Sequence, residues 1–190
     1  MSRVFNLFPD VCIEGELPIE QNVSTKIKQG ITEAKDTGNC IDTNFGWMTS
    51  KEMPQVDAVK NLQLLFGSVF VNEIRKAIPQ TKNAEIKIID PNLISIKPGH
   101  TYPVHVDRTK WYSCIIWIQT TNKGSMLYHE NFGLRLHSTP IKIQPGTNYV
   151  KPKVWRYCCF PAHIPWGMTP NNSAVDTICM HLNMMAIPKD

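Results

Sequence analysis

YPVHVDRTKWYSCIIWIQ, residues 102–119, places a histidine and an aspartate two residues apart in a segment with strong strand character. Most of its apolar residues are β-branched or aromatic, which favours a β-strand. Side chains two residues apart in a strand point to the same face, so His105 and Asp107 would present an imidazole and a carboxylate side by side. Such a pair is either half of a metal site, completed from a distant strand, or a hydrogen-bonded pair inside a β-barrel.

The length and composition are those of one globular domain. The 190 residues are 42% hydrophobic, which is enough to build a full core, and we expect a single domain over 1–190. A net charge of +4 without any dense basic run argues against nucleic-acid binding. The N-terminal apolar stretch is too short for a signal peptide, and no run of eighteen apolar residues suggests a membrane span. We therefore expect a cytoplasmic protein, or one in a virion if a phage encodes it.

The six cysteines follow no CxxC spacing. The adjacent pair Cys158 and Cys159 would point to opposite faces of a strand. These features predict reduced and mostly buried thiols.

Two helices precede a series of strands. Residues 19–35 space Ile19, Val23, Ile27 and Ile31 by four, and residues 53–79 carry a stronger apolar stripe of Val59, Leu62, Phe66, Val69 and Phe70. From Ala84 onward the chain consists of short runs rich in Ile, Val, Trp and Tyr, separated by Pro, Gly, Asn and Thr. The order predicts supporting elements over 1–83 and a β core over 84–190, with the helices packed outside it.

Three segments, "LISIKPGHTYPVHVD", "SCIIWIQTTNKGSMLYHE" and "VKPKVWRYCCFPAHIPWGMTPNNS", resemble the Fe(II)/2-oxoglutarate dioxygenase superfamily. The similarity is to its compact prolyl-hydroxylase-like members, found in phages and marine microbes, and it includes "NLFPDVCIEGELP" as an N-terminal strand. The resemblance implies a mostly β chain with flanking helices, folded as a double-stranded β-helix of the jelly-roll, cupin-like type. It also implies that His105 and Asp107 occupy the first two metal-ligand positions.

The sequence departs from the family pattern at the third metal-ligand position. The family motif is close to "FPSWLPHGVTPN", whereas this chain reads "FPAHIPWGMTPN", so Trp166 stands at the ligand position and a histidine stands earlier, at His163. An indole N–H has no lone pair to offer a metal. His163 could serve only if the turn moved, which Pro161 and Pro165 would resist.

The family's 2-oxoglutarate positions depart as well. Its last strand supplies a basic residue that binds the cosubstrate carboxylate, and the resemblance places this role at Thr177, with Cys179 on the same face. No Lys or Arg occurs between Arg156 and Lys189. Leaving a buried carboxylate unpaired is costly. Cations elsewhere in the chain that could substitute are Lys97, Arg108 and Arg156.

Three other histidines invite a metal interpretation. His129 and His137, with Glu130, could form a cluster, but a solvated loop is the simpler expectation. His181 could face His105 across the barrel, and we expect a hydrogen-bonded core histidine.

Two functions are therefore open. We favour a protein that keeps the oxygenase fold, has lost turnover and serves a binding or structural role. It would have protein partners in a larger assembly, such as a phage particle, or form a homo-oligomer. The alternative is an active hydroxylase that uses Fe(II) and 2-oxoglutarate, with iron bound by His105, Asp107 and a relocated His163.

Overall fold

A computed structural model describes residues 3–7, 10–36, 40–49, 57–129 and 148–188. These residues contain twelve strands, two α-helices and one 3₁₀-helix. The helices are α1 Gln21–Asp36, α2 Asp57–Ala77 and the 3₁₀-helix Pro79–Asn83. The strands are β1 Arg3–Leu7, β2 Asp10–Glu16, β3 Cys40–Thr43, β4 Gly46–Thr49, β5 Ala84–Ile96, β6 Tyr102–His105, β7 Tyr112–Gln119, β8 Leu127–His129, β9 Asn148–Val150, β10 Arg156–Pro161, β11 Trp166–Met168 and β12 Thr177–Pro188.

The described strands form two antiparallel sheets. The large sheet has the order β1-β2-β10-β7-β12-β5-β4-β3, and the small sheet has the order β6-β11-β8-β9. One apolar cluster draws side chains from both sheets, which places it in the barrel interior between them: Cys12, Phe45, Ile94, Ile96, Tyr102, Ile115, Trp117, Leu127, Val150, Cys158, Phe160, Ile164, Trp166, Met168 and Cys179. The predicted double-stranded β-helix is confirmed.

The helices cover the other face of the large sheet, as predicted. Leu62, Phe66, Phe70 and Ile74 recur every four residues along α2, and all four are buried in a second apolar cluster with side chains of β7 and β12. In α1, Ile27 and Ile31 join this cluster.

Two residues of the apolar stripe predicted for the first helix, Ile19 and Val23, do not pack as buried residues of α1. Val23 is 41% exposed, and Ile19 precedes the first residue of α1. The fourfold spacing therefore holds only for the C-terminal half of the predicted stripe.

The central position of β7 explains why its sequence is almost continuously apolar. It lies between β10 and β12, with the helices on one face and the small sheet on the other. Cys114, Ile116 and Ile118 pack toward the helices, while Ile115 and Trp117 point into the barrel interior. A strand buried on both faces loses the polar alternation of a half-exposed strand.

Some boundaries differ from the predictions. The short runs predicted from Ala84 onward begin with one long strand, β5, because β12 pairs along its whole length. Residues before 84 contribute β1 to β4 to the large sheet in addition to the helices. Part of the predicted β core, including "IKIQPG" at 141–146, lies outside the described residues. Within the described ranges, neither helix combines the length and the apolar character needed to cross a membrane.

The prediction of reduced cysteines is wrong for one pair. Cys114 of β7 and Cys159 of β10 are register partners, and the two residues form a disulfide. Cys158 points to the opposite face, into the barrel interior, as its position next to Cys159 predicted. The disulfide was missed because it depends on the pairing register of two strands that are distant in sequence.

Candidate functional site

Three side chains form a row across the inner face of the small sheet. Trp166 of β11 pairs with His105 of β6 on one side and with His129 of β8 on the other. Directly paired residues on neighbouring antiparallel strands point to the same face. Because Trp166 belongs to the interior cluster, the row His105–Trp166–His129 faces the barrel interior.

Trp166 is enclosed by aromatic rings. Its ring centroid lies 5.2 Å from Tyr102, 5.6 Å from His105, 5.9 Å from Phe160 and 5.1 Å from His181. The residue is 0% exposed, and its Nε1–H has no hydrogen-bond partner within the described chain. The position that the resemblance gives to the third metal ligand is thus part of the packed interior.

His105 and Asp107 are not hydrogen-bonded to each other, contrary to one of our expectations. Strand β6 ends at His105, and Asp107 begins a turn in which its Oδ1 accepts bonds from Thr109 N (3.2 Å) and Thr109 Oγ1 (2.9 Å). The other carboxylate oxygen, Oδ2, accepts a bond from Asn183 Nδ2 at 3.1 Å. Both carboxylate oxygens therefore accept hydrogen bonds from the protein, while the His105 ring packs against Trp166 and His181.

His163 lies apart from this row. It is exposed in the turn that connects β10 to β11. Among the residues that the structure describes, no group of three His, Cys, Asp or Glu side chains could hold a metal ion. The residues at the three family positions do not fit Fe(II), because Trp166 stands at the third position, paired with His105, and its indole nitrogen has no lone pair for a metal.

Thr177 and Cys179, the predicted 2-oxoglutarate positions, are both fully buried on β12. The Thr177 hydroxyl accepts a bond from Ser125 N at 3.2 Å, and Cys179 packs in the interior cluster, where burial raises its pKa. Neither side chain carries a charge that could neutralise a carboxylate.

None of the suggested substitute cations is buried as Thr177 is. Lys97 and Arg108 are exposed. Arg156 forms ion pairs with Glu16 at 3.1 Å and Glu14 at 3.6 Å.

His181 is the hydrogen-bonded core histidine that we predicted. It is 4% exposed, and its Nδ1 lies 3.4 Å from Asn92 Nδ2. Burial, and secondarily the neighbouring His105, lowers the pKa of His181 to about 4. Its Nε2 has no hydrogen-bond partner within the described residues.

His129 corrects the prediction of a solvated loop. It is fully buried in β8, with its ring centroid 4.4 Å from Phe160 and its Nε2 3.9 Å from Cys158 Sγ. Burial lowers the pKa of His129 to about 4. Glu130 and His137 lie outside the described residues. Leu127 and His129 are two residues apart in a strand and therefore share a face, and this spacing was the signal that could have identified an inward-facing histidine.

Comparisons with known proteins agree with this architecture. No protein-family model and no curated protein matches the sequence. The prolyl-4-hydroxylase of Pseudomonas putida covers 95% of this chain and 95% of its own, with a TM-score of 0.64 and 12% identity. A Trichoplax adhaerens prolyl hydroxylase, solved with a hypoxia-inducible-factor peptide, covers 92% of this chain and 83% of its own, with a TM-score of 0.66 and 12% identity.

A viral structure is similar over the same region. The collagen prolyl hydroxylase of Paramecium Bursaria Chlorella virus-1, solved with 2-oxoglutarate, covers 93% of this chain and 96% of its own, with a TM-score of 0.59 and 13% identity. Similarities at such low identity establish the fold alone. The chain has the double-stranded β-helix fold of the 2-oxoglutarate/Fe(II) oxygenase superfamily.

Proposed function

We propose that this protein keeps the oxygenase fold without metal-dependent turnover and serves a binding or structural role. The observation that carries the proposal is the packing of Trp166. A buried indole in contact with four rings stands where the resemblance requires a third imidazole ligand. An indole cannot replace imidazole as a ligand, because its nitrogen has no free lone pair.

The cosubstrate position supports the same proposal independently. Thr177 is buried and its hydroxyl accepts the Ser125 N–H, so the site offers 2-oxoglutarate no cation. Charge-assisted bidentate bonds from arginine are what usually hold such a carboxylate. The two departures remove different parts of the chemistry: the third metal ligand and the cation that holds the cosubstrate.

The binding or structural role rests on the sheet edges. The edge strands β3, β6 and β9 each carry an exposed large apolar side chain: Ile41 is 54% exposed, Val104 47% and Tyr149 56%. Edge strands with exposed apolar side chains are favourable sites for pairing with another chain. A phage or other viral assembly is our specific suggestion, supported by the resemblance to phage-borne proteins and by the similarity to a viral enzyme.

The assembly can be measured separately from the chemistry. We expect native mass spectrometry to show an oligomer or a stable complex with a partner protein, which Ile41→Lys or Tyr149→Lys weakens. Leu64→Lys is the matched control, because Leu64 is 72% exposed but lies on α2, away from the sheet edges. A monomer that binds no protein from its native assembly would contradict the structural role.

Loss of turnover is tested by supplying the protein with Fe(II), ascorbate, oxygen and 2-oxoglutarate and measuring succinate. We expect no succinate above a control that contains the metal alone. The double variant Trp166→His and Thr177→Arg restores the family pattern, and we expect it to bind iron more tightly than the unmodified protein. Turnover by the unmodified protein that His163→Ala abolishes would instead establish the active hydroxylase with a relocated ligand.

A further inference from the structure

A surface cavity of about 580 Å³, wide open to solvent, lies where α2 meets the 3₁₀-helix, outside the barrel interior. Its walls are formed by Asn72, Arg75, Lys76, Pro79 and Lys82. Three of these five residues are cationic, one is an amide and none is acidic. The lining therefore concentrates positive charge in one concave place on the surface.

Most of this charge is not neutralised by neighbouring side chains. Lys76 Nζ pairs with Glu73 Oε1 at 2.8 Å, so this lysine is partly neutralised within its own helix. Within the described residues, neither Arg75 nor Lys82 forms an ion pair with a carboxylate. At least two positive charges are left to attract an anion.

The Arg75 guanidinium also has unused hydrogen-bond donors. Its Nη2 donates to Ala84 O at a long 3.5 Å, and its buried Nε has no partner in the described chain. A cation in the last turn of a helix commonly caps the free helix carbonyls. Arg75 donates to no α2 carbonyl, so helix capping does not account for its position.

The turn that carries Lys82 is held firmly against the end of α2. Pro79 fixes the backbone at the start of the 3₁₀-helix. Thr81 donates to Ile78 O from both its backbone N (3.0 Å) and its Oγ1 (2.7 Å), and Ile78 N donates to Ile74 O at 2.7 Å. A lysine on a rigid backbone loses less freedom when it binds a ligand.

We propose that this cavity binds the phosphate group of a phosphorylated small molecule. Guanidinium groups bind phosphate through paired N–H···O bonds, and lysine adds a point charge. A phosphate monoester carries about −1.5 to −2 charge near neutral pH, which matches the charges of Arg75 and Lys82. The volume lies in the range of small-molecule sites, about 300–1,000 Å³, and leaves room for the remainder of the ligand.

The test is a titration of the folded protein with inorganic phosphate and pyrophosphate at low ionic strength, followed by amide NMR shifts. We expect saturable shifts at Asn72, Lys76 and Lys82, with tighter binding of pyrophosphate than of phosphate. Arg75→Gln should weaken pyrophosphate binding about tenfold or more, and Lys82→Gln about threefold or more. The pyrophosphate affinity of Arg75→Lys should lie between those of Arg75→Gln and the unmodified protein, because lysine keeps the charge but lacks the planar guanidinium.

Lys60→Gln is the matched control, since Lys60 is an exposed lysine on the same helix that does not line the cavity. Its affinity should remain within about twofold of the unmodified protein. Absence of saturable shifts, shifts centred on other residues, or an equal loss in Lys60→Gln would overturn the proposal. Citrate binding as tight as pyrophosphate binding would overturn the assignment to phosphate.

Discussion

Acidification should remove a large part of the stability of this protein, because two histidines are buried as neutral imidazoles. Burial lowers the pKa of both His129 and His181 to about 4 from an ordinary value of 6.5. Between these two values the unfolded chain binds protons that the folded chain does not, so folding becomes less favourable as the pH falls. Above pH 6.5 the full stability is present, and below about pH 4 these groups cause no further loss.

The size of the effect follows from the two pKa values. At 1.36 kcal/mol per pKa unit, the fall from 6.5 to about 4 gives about 3 to 4 kcal/mol for each histidine and about 7 kcal/mol for the pair. A domain of this kind is stable by about 5–15 kcal/mol in total. The pKa of Glu16 is lowered from 4.5, chiefly by the hydrogen bond from Lys153. Glu16 affects stability only below pH 4.5, and it is exposed, so it adds little to the loss between pH 6.5 and 4.

Urea denaturation followed by tryptophan fluorescence, from about pH 7.5 down to about pH 4.5, measures the loss. His129→Gln should remove roughly half of the pH dependence, even though it also lowers stability at pH 7.5. An unaltered slope in His129→Gln, or stability that rises with acid, would refute the reasoning.

Three further changes test the interior. Trp166→Ala should cost about 3–5 kcal/mol in the free energy of unfolding, since it empties a fully buried position, and a cost below about 1 kcal/mol would contradict the packing described above. Thr177→Val should cost about 1–3 kcal/mol, because the buried Ser125 N–H loses its acceptor; Thr120→Val, at a partly exposed hydroxyl, is the comparison. Reduction of the Cys114–Cys159 disulfide, which joins residues 45 apart in sequence, should lower stability by about 4 kcal/mol, and an unchanged urea midpoint in reductant would contradict it.

The features that the sequence predicted well are those encoded in local periodicity. The spacing of Leu62, Phe66 and Phe70 identifies α2, and the apolar run of β7 identifies a strand buried on both faces. Family resemblance, not periodicity, supplied the barrel topology. Neither periodicity nor the resemblance predicted the short strand β11, because its three residues are defined only by their pairing with β6 and β8.

The site was predicted less completely, because its geometry depends on where strands end. His105 and Asp107 both reach β12, where His105 contacts His181 and Asp107 accepts a bond from Asn183. The strand nevertheless ends at His105, and Asp107 also accepts two bonds from Thr109 in a turn. An Asp followed two residues later by Thr is a local turn signal that competes with strand continuation. The row of His105, Trp166 and His129 depends on register between three strands, which no local pattern specifies.

The most direct test of the central claim is a titration with Mn²⁺, a paramagnetic substitute for Fe(II), observed through the NMR signals around Trp166. A metal held by His105 and Asp107 would lie close to the Trp166 indole, since the His105 and Trp166 ring centroids are 5.6 Å apart. We predict that stoichiometric Mn²⁺ leaves the indole Nε1–H signal of Trp166 as sharp as those of Trp47 and Trp117, while Trp166→His with Thr177→Arg gains selective broadening of the amides of His105 and Asp107. Selective broadening of the Trp166 indole in the unmodified protein would contradict the account.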